Sequence, residues 1–85
     1  MNMYFVYVLR SVEYGNRYVG STDSVEKRLK EHNSGRSRYT ASRKPWVLVY
    51  QESLSTRTEA IKRELFLKSG QGRKWLDENV YSGIV

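Results

Sequence analysis

The chain has 85 residues, and its 15 Lys and Arg against nine Asp and Glu give a net charge of +6 and a pI near 9.8. That length leaves room for one hydrophobic core, so a multidomain enzyme is excluded and a single domain over residues 1–85 is expected. Cysteine is absent and His32 is the one histidine, which excludes a disulfide scaffold, a thiolate zinc site and a histidine-built metal cage; a metal would need carboxylate oxygen.

In chain order, Tyr4 to Leu9 is β-branched and aromatic, and after the turn signal Gly15-Asn16 a second such stretch runs from Arg17 to Ser21. Together they predict a β-hairpin, hence an antiparallel first pair. Asp23 with Glu26 three positions on resembles a capping box, predicting a helix that runs to about Asn33 and stops at Ser34-Gly35. A basic loop leads through Pro45 to a third strand, Trp46 to Tyr50, far short of the ~20 apolar residues that span a bilayer. Thr56 with Glu59 repeats the capping pattern and opens a second helix ended by Ser69-Gly70; the tail Arg73 to Asn79 adds a short one carrying Trp75 and Leu76. The order β-β-α-β-α-α predicts an α+β fold, three strands with helices packed on them. The start Met1-Asn2-Met3-Tyr4 has no signal-type lead, and a cytoplasmic location is expected.

The basic excess is uneven. Residues 33–51 contain Arg36, Arg38, Arg43 and Lys44 and no acid, with Tyr39 and Trp46 among them. Cations for phosphates beside aromatics for base stacking point to nucleic acid as partner, DNA ahead of RNA. A solvated basic face is the plainer account of the same residues.

Two helices carry polar groups on their apolar sides. A helix advances about 100° per residue, which puts Arg28 and His32 on the border of the face made by Val25 and Leu29, one turn apart and able to aim at a common point. An Arg stem lying along the core and a hydrogen-bonded structural histidine would account for them equally. In the second helix Glu64 falls on the inward arc, with Lys68 four residues on. The pair reads either as an ordinary ion pair or as a site, because burying a carboxylate without compensation is costly; Glu64 would then be a general base or a ligand for a hard cation such as magnesium. In the hairpin, Tyr4, Val6 and Val8 point one way and Phe5, Tyr7 and Leu9 the other, while Tyr18 and Gly20 share a face of the second strand. A strand glycine marks a bulge or the close approach of a backbone or ligand.

Phe5-Val6-Tyr7, Tyr18-Val19-Gly20, Arg28, His32 and Glu64, in this order, resemble the GIY-YIG endonuclease superfamily. The stretches Tyr7 to Ser11, Tyr18 to Thr22, Arg28-Leu29 with His32-Asn33, Tyr39-Thr40, Pro45-Trp46 with Leu48 to Tyr50, and Glu59-Ala60 with Arg63-Glu64 resemble its small single-domain bacterial branch, over about residues 4–76. The resemblance implies a three-stranded antiparallel sheet flanked by helices and a nuclease dependent on Mg2+ or Mn2+. It implies that Tyr7 deprotonates the attacking water, Tyr18 orients water or phosphate, Arg28 stabilises charge on the phosphate, His32 assists Tyr7 and Glu64 binds the metal. Gly20 would let a backbone pass close.

The chain departs from the family in keeping only the tyrosine of the first triplet and in having no clear match to the asparagine that follows the metal glutamate in larger members, Asn79 lying too far on. No appended DNA-binding domain is expected, so grip would fall to Arg36, Arg38, Tyr39, Arg43, Lys44 and Lys68, and specificity would be poor or supplied by a partner protein. The leading expectation is an endonuclease on branched, damaged or single-stranded DNA, in a DNA-repair setting. A nucleic-acid-binding module of the same fold that cleaves weakly or not at all is the alternative, and an adaptor for an acidic protein is a third reading. Cations near Tyr7 are expected to lower its pKa, so that cleavage rises between about pH 6 and 9.

Overall fold

The computed structural model describes residues 3–81. Strands β1 (Tyr4–Ser11), β2 (Arg17–Thr22) and β3 (Trp46–Leu54) form an antiparallel sheet in the order β2-β1-β3, so β2 and β3 are both edges. Helices α1 (Val25–Asn33), the single turn α2 (Arg38–Ala41), α3 (Arg57–Lys68) and α4 (Gly70–Leu76) follow, and a π-helical turn, Asp77–Tyr81, closes the described chain. The fold class and element order match the sequence expectation, with α2 added inside the basic loop.

The sheet is covered on both faces, and the alternation along β1 divides the core. Val6 and Val8, with Val19 of β2, pack under Ala60, Leu67 and Leu76 of α3 and α4. Tyr7 and Leu9 face the other way and pack with Trp46, Tyr18, Leu48 and the α1 residues Val25 and Leu29. β3 serves both halves through an irregularity. Leu9 pairs with Leu48 and Val8 with Tyr50, leaving Val49 as the extra residue of a bulge. The bulge resets the alternation. Trp46 and Leu48 thereby join the α1 side, whereas Tyr50 and Leu54 join the α3 side.

Hydroxyl caps set the helix boundaries. α3 starts where the Thr56 hydroxyl accepts from the Glu59 amide at 3.1 Å, as the capping pattern predicts. α1 starts one residue later than expected: Ser24, not Asp23, is its N-cap and accepts from the Lys27 amide, while the Thr22 hydroxyl accepts from the Ser24 amide. Ser69 ends α3 and also caps α4, accepting from the Gly72 amide at 3.1 Å. The tail helix therefore begins at Gly70 rather than Arg73.

On α3 the buried positions are Ala60 and Leu67, with Arg63 and Glu64 half-buried beside them; Ile61 and Leu65 are exposed. The inward arc is thus rotated away from these two aliphatics and leaves Glu64 within it. The Arg63 guanidinium lies over the rings of Phe66 and Trp75, 5.0 and 4.8 Å from their centroids, and pairs with Glu52. Its stem and planar head fill space that an aliphatic would otherwise occupy.

Of the described glycines, Gly72 has the least room, at the contact of α3 with α4, where a Cβ would lie 1.9 Å from the Phe66 carbonyl oxygen and 2.5 Å from the Leu67 Cα. At Gly70 a Cβ would meet nothing within 4 Å. Gly72→Ala should therefore lower unfolding stability by about 2 kcal/mol or more, whereas Gly70→Ala should be neutral or slightly stabilising, measured as urea midpoints of the two variants.

Candidate active site

Tyr7 stands in the central strand with Gly20 as its cross-strand partner on β2. A Cβ at position 20 would come within 2.7 Å of the Tyr7 hydroxyl and 3.1 Å of the Tyr18 ring. The strand glycine therefore makes room for the Tyr7 phenol, not for a passing backbone. Across this space α1 delivers His32, which is fully buried, and its Nε2 lies 3.0 Å from the Tyr7 hydroxyl. The other ring nitrogen, Nδ1, lies 2.9 Å from the Thr40 hydroxyl on α2.

The Thr40 hydroxyl donates to the Ser37 carbonyl, so it accepts from His32 Nδ1–H. That leaves Nε2 as an acceptor for the Tyr7 O–H, and the three side chains form a directed chain from Tyr7 to the loop backbone. Two further bonds fix the loop. The Trp46 indole Nε1–H donates to the Thr40 carbonyl at 2.9 Å, and Asn33 clamps the Trp46 backbone, accepting from its amide at 2.6 Å and donating to its carbonyl at 3.0 Å. Trp46 is 2% exposed. It anchors the loop and offers no stacking surface, contrary to its expected place among the exposed aromatics; its apolar ring fills the core half that α1 covers.

Burial sets the protonation states. The Tyr7 hydroxyl is pushed up to about 12, chiefly because burial disfavours phenolate; Arg28 pulls against this, while Tyr18 and the Glu64 charge add to the rise. The expected lowering of the Tyr7 pKa by cations is thus outweighed by desolvation. His32 is held below its ordinary value, first by burial and then by the Arg28 charge, and is neutral at pH 7. Arg28 is half-buried, shares its guanidinium with Glu31 at 2.7 Å and stays charged, its pKa raised by that bond.

Glu64 belongs to the opposite face of the sheet. Ser21, which alternates with Gly20 on β2, donates to Glu64 Oε1 at 2.7 Å, and Lys68 donates to Oε2 at 2.5 Å. The Glu64 side chain is 20% exposed. Its half of the site and the Tyr7 half meet at the β2 edge, close enough for the Glu64 charge to act on Tyr7. Among the described residues no three His, Cys, Asp or Glu cluster as a ready cage. One carboxylate is nonetheless a fitting donor set for Mg2+, which keeps several waters and borrows substrate oxygens. A cation there would have to displace Lys68 from Oε2.

The structure thus brings Tyr7, Tyr18, Arg28 and His32 together on one side of β2 and sets Glu64 at its other side. Tyr18 is central among the rings, with centroids 4.6 Å from His32, 6.2 Å from Tyr7 and 6.0 Å from Tyr39. Tyr39 and Lys68 line a groove of about 490 Å³ along the β2 edge. Arg36, Arg38, Arg43 and Lys44 are exposed, but Arg43 turns to the hairpin end, donating to Asn16, and lines a separate hollow there. Asn79 is exposed and donates to the Trp75 carbonyl at 2.8 Å. Sequence reasoning missed Thr40, Ser21, Arg17 and Arg73. Ser21 could have been found by continuing the strand alternation one residue past Gly20, and Arg17 by following the same face back along β2; Thr40 and Arg73 lie in elements with no periodicity linking them to the site.

Comparison with known proteins bears on the family and the fold. A family model described as the GIY-YIG catalytic domain matches residues 3–76. A UPF0213 protein of Staphylococcus saprophyticus is 38% identical over 77 residues, covering 89% of this chain and 93% of that protein. A UPF0213 protein of Bacillus licheniformis is 44% identical over 68 residues, covering 79% and 69%. The solution NMR structure of the UPF0213 protein BH0048 from Bacillus halodurans is similar with a TM-score of 0.54 and 32% identity, over 89% of this chain and 83% of that one. Matched from its first strand through its fourth helix, and related at this level to single-domain bacterial proteins, the chain belongs to the GIY-YIG family, in its small single-domain bacterial branch.

Proposed function

We propose that the protein is a divalent-metal-dependent endonuclease that hydrolyses phosphodiester bonds in DNA. Membership of a nuclease family supports this reading, and the observation that carries it is the buried chain Tyr7–His32–Thr40 ending beside a permanent cation, Arg28. In a purely structural role a buried tyrosine needs one acceptor; here the acceptor is a neutral histidine whose far nitrogen is already committed to a hydroxyl, which is the wiring of a proton relay.

Tyr7 acts as a relay rather than as a standing phenolate. Its oxygen takes a proton from the attacking water while its own O–H proton passes to His32 Nε2, so no free phenolate forms in the buried site. Water reaches the hydroxyl when Arg28 swings from Glu31 towards the scissile phosphate, where its guanidinium meets the growing charge. Tyr18, beside His32 and at the mouth of the groove, orients the phosphate. Mg2+ or Mn2+ held by Glu64 would supply charge to the phosphate and the departing oxygen. Lys68 gives up Oε2 and is released towards the groove. The basic surface supplies grip on the backbone, with a protein partner as the source of any sequence choice.

Glu64→Gln keeps the shape and the Ser21 contact but removes the ligand charge, and should cost about a hundredfold or more in cleavage while nucleic-acid affinity stays within a few fold. Unchanged cleavage with the same metal dependence would remove Glu64 from the site and favour the binding-module reading.

The pH profile follows from the two shifts. His32 must be neutral to accept the Tyr7 proton, and its pKa lies below the ordinary 6.5, so cleavage should fall only as the pH drops below about 6.5. Between about pH 7 and 9 it should be flat, because Tyr7, at about 12, does not ionise there. Tyr7→Phe should lose about a hundredfold on the plateau. A rate that keeps climbing to pH 9 in the parent, or a variant that cleaves like the parent, would refute the relay.

Because phosphate contacts dominate, log affinity against log salt should have a slope of about −3 to −4, the value for neutralising roughly four phosphates. Affinity indifferent to salt would count against the basic face.

A further inference from the structure

The groove along the β2 edge has a composition that phosphate grip alone does not explain. Its rim carries Arg17, Lys68 and Arg73, and its walls include Tyr18 and Tyr39, with Leu67 and Leu76 beneath. Tyr39 is 70% exposed, the most open of the large apolar residues described. It is nevertheless held in place. On α2 the neighbouring residue, Thr40, points inward to His32, and its carbonyl is fixed by the Trp46 indole. The geometry that locks Thr40 into the relay therefore forces Tyr39 outward, its ring 6.0 Å from Tyr18 and tilted by 44°. That contact covers only part of Tyr39, and the residue otherwise stands in solvent. Arg17 is braced at the rim by Asp77 at 3.0 Å.

We infer that this groove is a subsite for one unpaired nucleotide next to the scissile phosphate, with its base stacked on the exposed ring of Tyr39 and its phosphate between Lys68 and Arg73. The volume of about 490 Å³ lies within the ~300–1,000 Å³ of small-molecule sites. A fixed, exposed ring beside three cations is the combination that binds single strands, since every base offers a π-face and every linkage a charge. Within a duplex the bases are paired and stacked on their neighbours, so Tyr39 would find an unpaired base only at a single strand, a flap or a gap. The substrate class is therefore DNA with at least one unpaired nucleotide beside the cut. This deepens the nuclease reading and rests on it for the place of the cut, but the binding it describes does not need cleavage.

The test is fluorescence anisotropy in the presence of a chelator, so that nothing is cut, with an oligothymidylate of about 12 nucleotides and a duplex of the same length. Tyr39→Ala should weaken binding of the single strand by about tenfold and cost the duplex at least threefold less, whereas Tyr39→Phe, which keeps the π-face, should bind the single strand within about twofold of the parent. Equal losses on both DNAs, no loss on the single strand, or a Phe variant as weak as the Ala variant would overturn the subsite. Cleavage of the same DNAs with Mg2+ or Mn2+ separates the two proposals. Selective loss by Tyr39→Ala without any metal-dependent cleavage would keep the subsite and refute the nuclease; duplex cleavage by the parent with no selective effect of Tyr39 would do the reverse.

Discussion

A fully buried histidine organises this protein. Burying an imidazole between the rings of Tyr7 and Tyr18 costs free energy unless both nitrogens are satisfied, and an unpaired buried polar group costs about 1–3 kcal/mol. His32 is satisfied from two distant elements, the central strand through Tyr7 and the α2 turn through Thr40. The requirement explains why a loop rich in like charges holds one conformation: Thr40 must reach the ring, and the Trp46 indole and the Asn33 clamp keep it there. The same bonds that stabilise the core aim the site.

The second constraint is the sheet edge. Alternation sends Tyr7 and Tyr18 to one face and Ser21 to the other, so a site using Tyr7 and Glu64 must straddle β2. An edge strand has no neighbour on its outer side, and the straddle leaves an open groove there instead of a gap in the core. Gly20 is what permits it, since any side chain at that point would collide with the Tyr7 phenol. The bulge at Val49 completes the arrangement by letting one strand, β3, feed Trp46 to the relay side and Tyr50 to the α3 side.

Electrostatically the site is poised rather than charged. Tyr7 and His32 are both held neutral by burial, and the charges around them are already paired, Arg28 with Glu31 and Glu64 with Lys68. Both pairs join partly buried side chains and remain in contact with water at their rims, which places them between the weak exposed pairs and the costly buried ones. In the proposed reading, contacts to phosphate and metal take the place of these two internal pairs.

Much of the fold could be read from residue order because its determinants are local. The aromatic and β-branched run of β1, the turn at Gly15-Asn16 and the Thr56–Glu59 cap act over a few residues, and they gave the elements and the antiparallel hairpin. The one-turn spacing of Arg28 and His32 and the inward place of Glu64 were legible for the same reason. The sequence could not show that Ser24 outcompetes Asp23 as a cap, that β3 bulges at Val49, or that Trp46 is buried while Tyr39 is bare. Those depend on which partner arrives from elsewhere: Thr40 reaches His32, Ser21 reaches Glu64, and Lys68 shares a groove with Arg73 only once the chain is packed. The sequence by itself therefore determined the elements, the family pattern and the candidate site residues. Tertiary structure alone decided their protonation and their exposure, because desolvation and hydrogen bonding are properties of surroundings that no short stretch of chain contains.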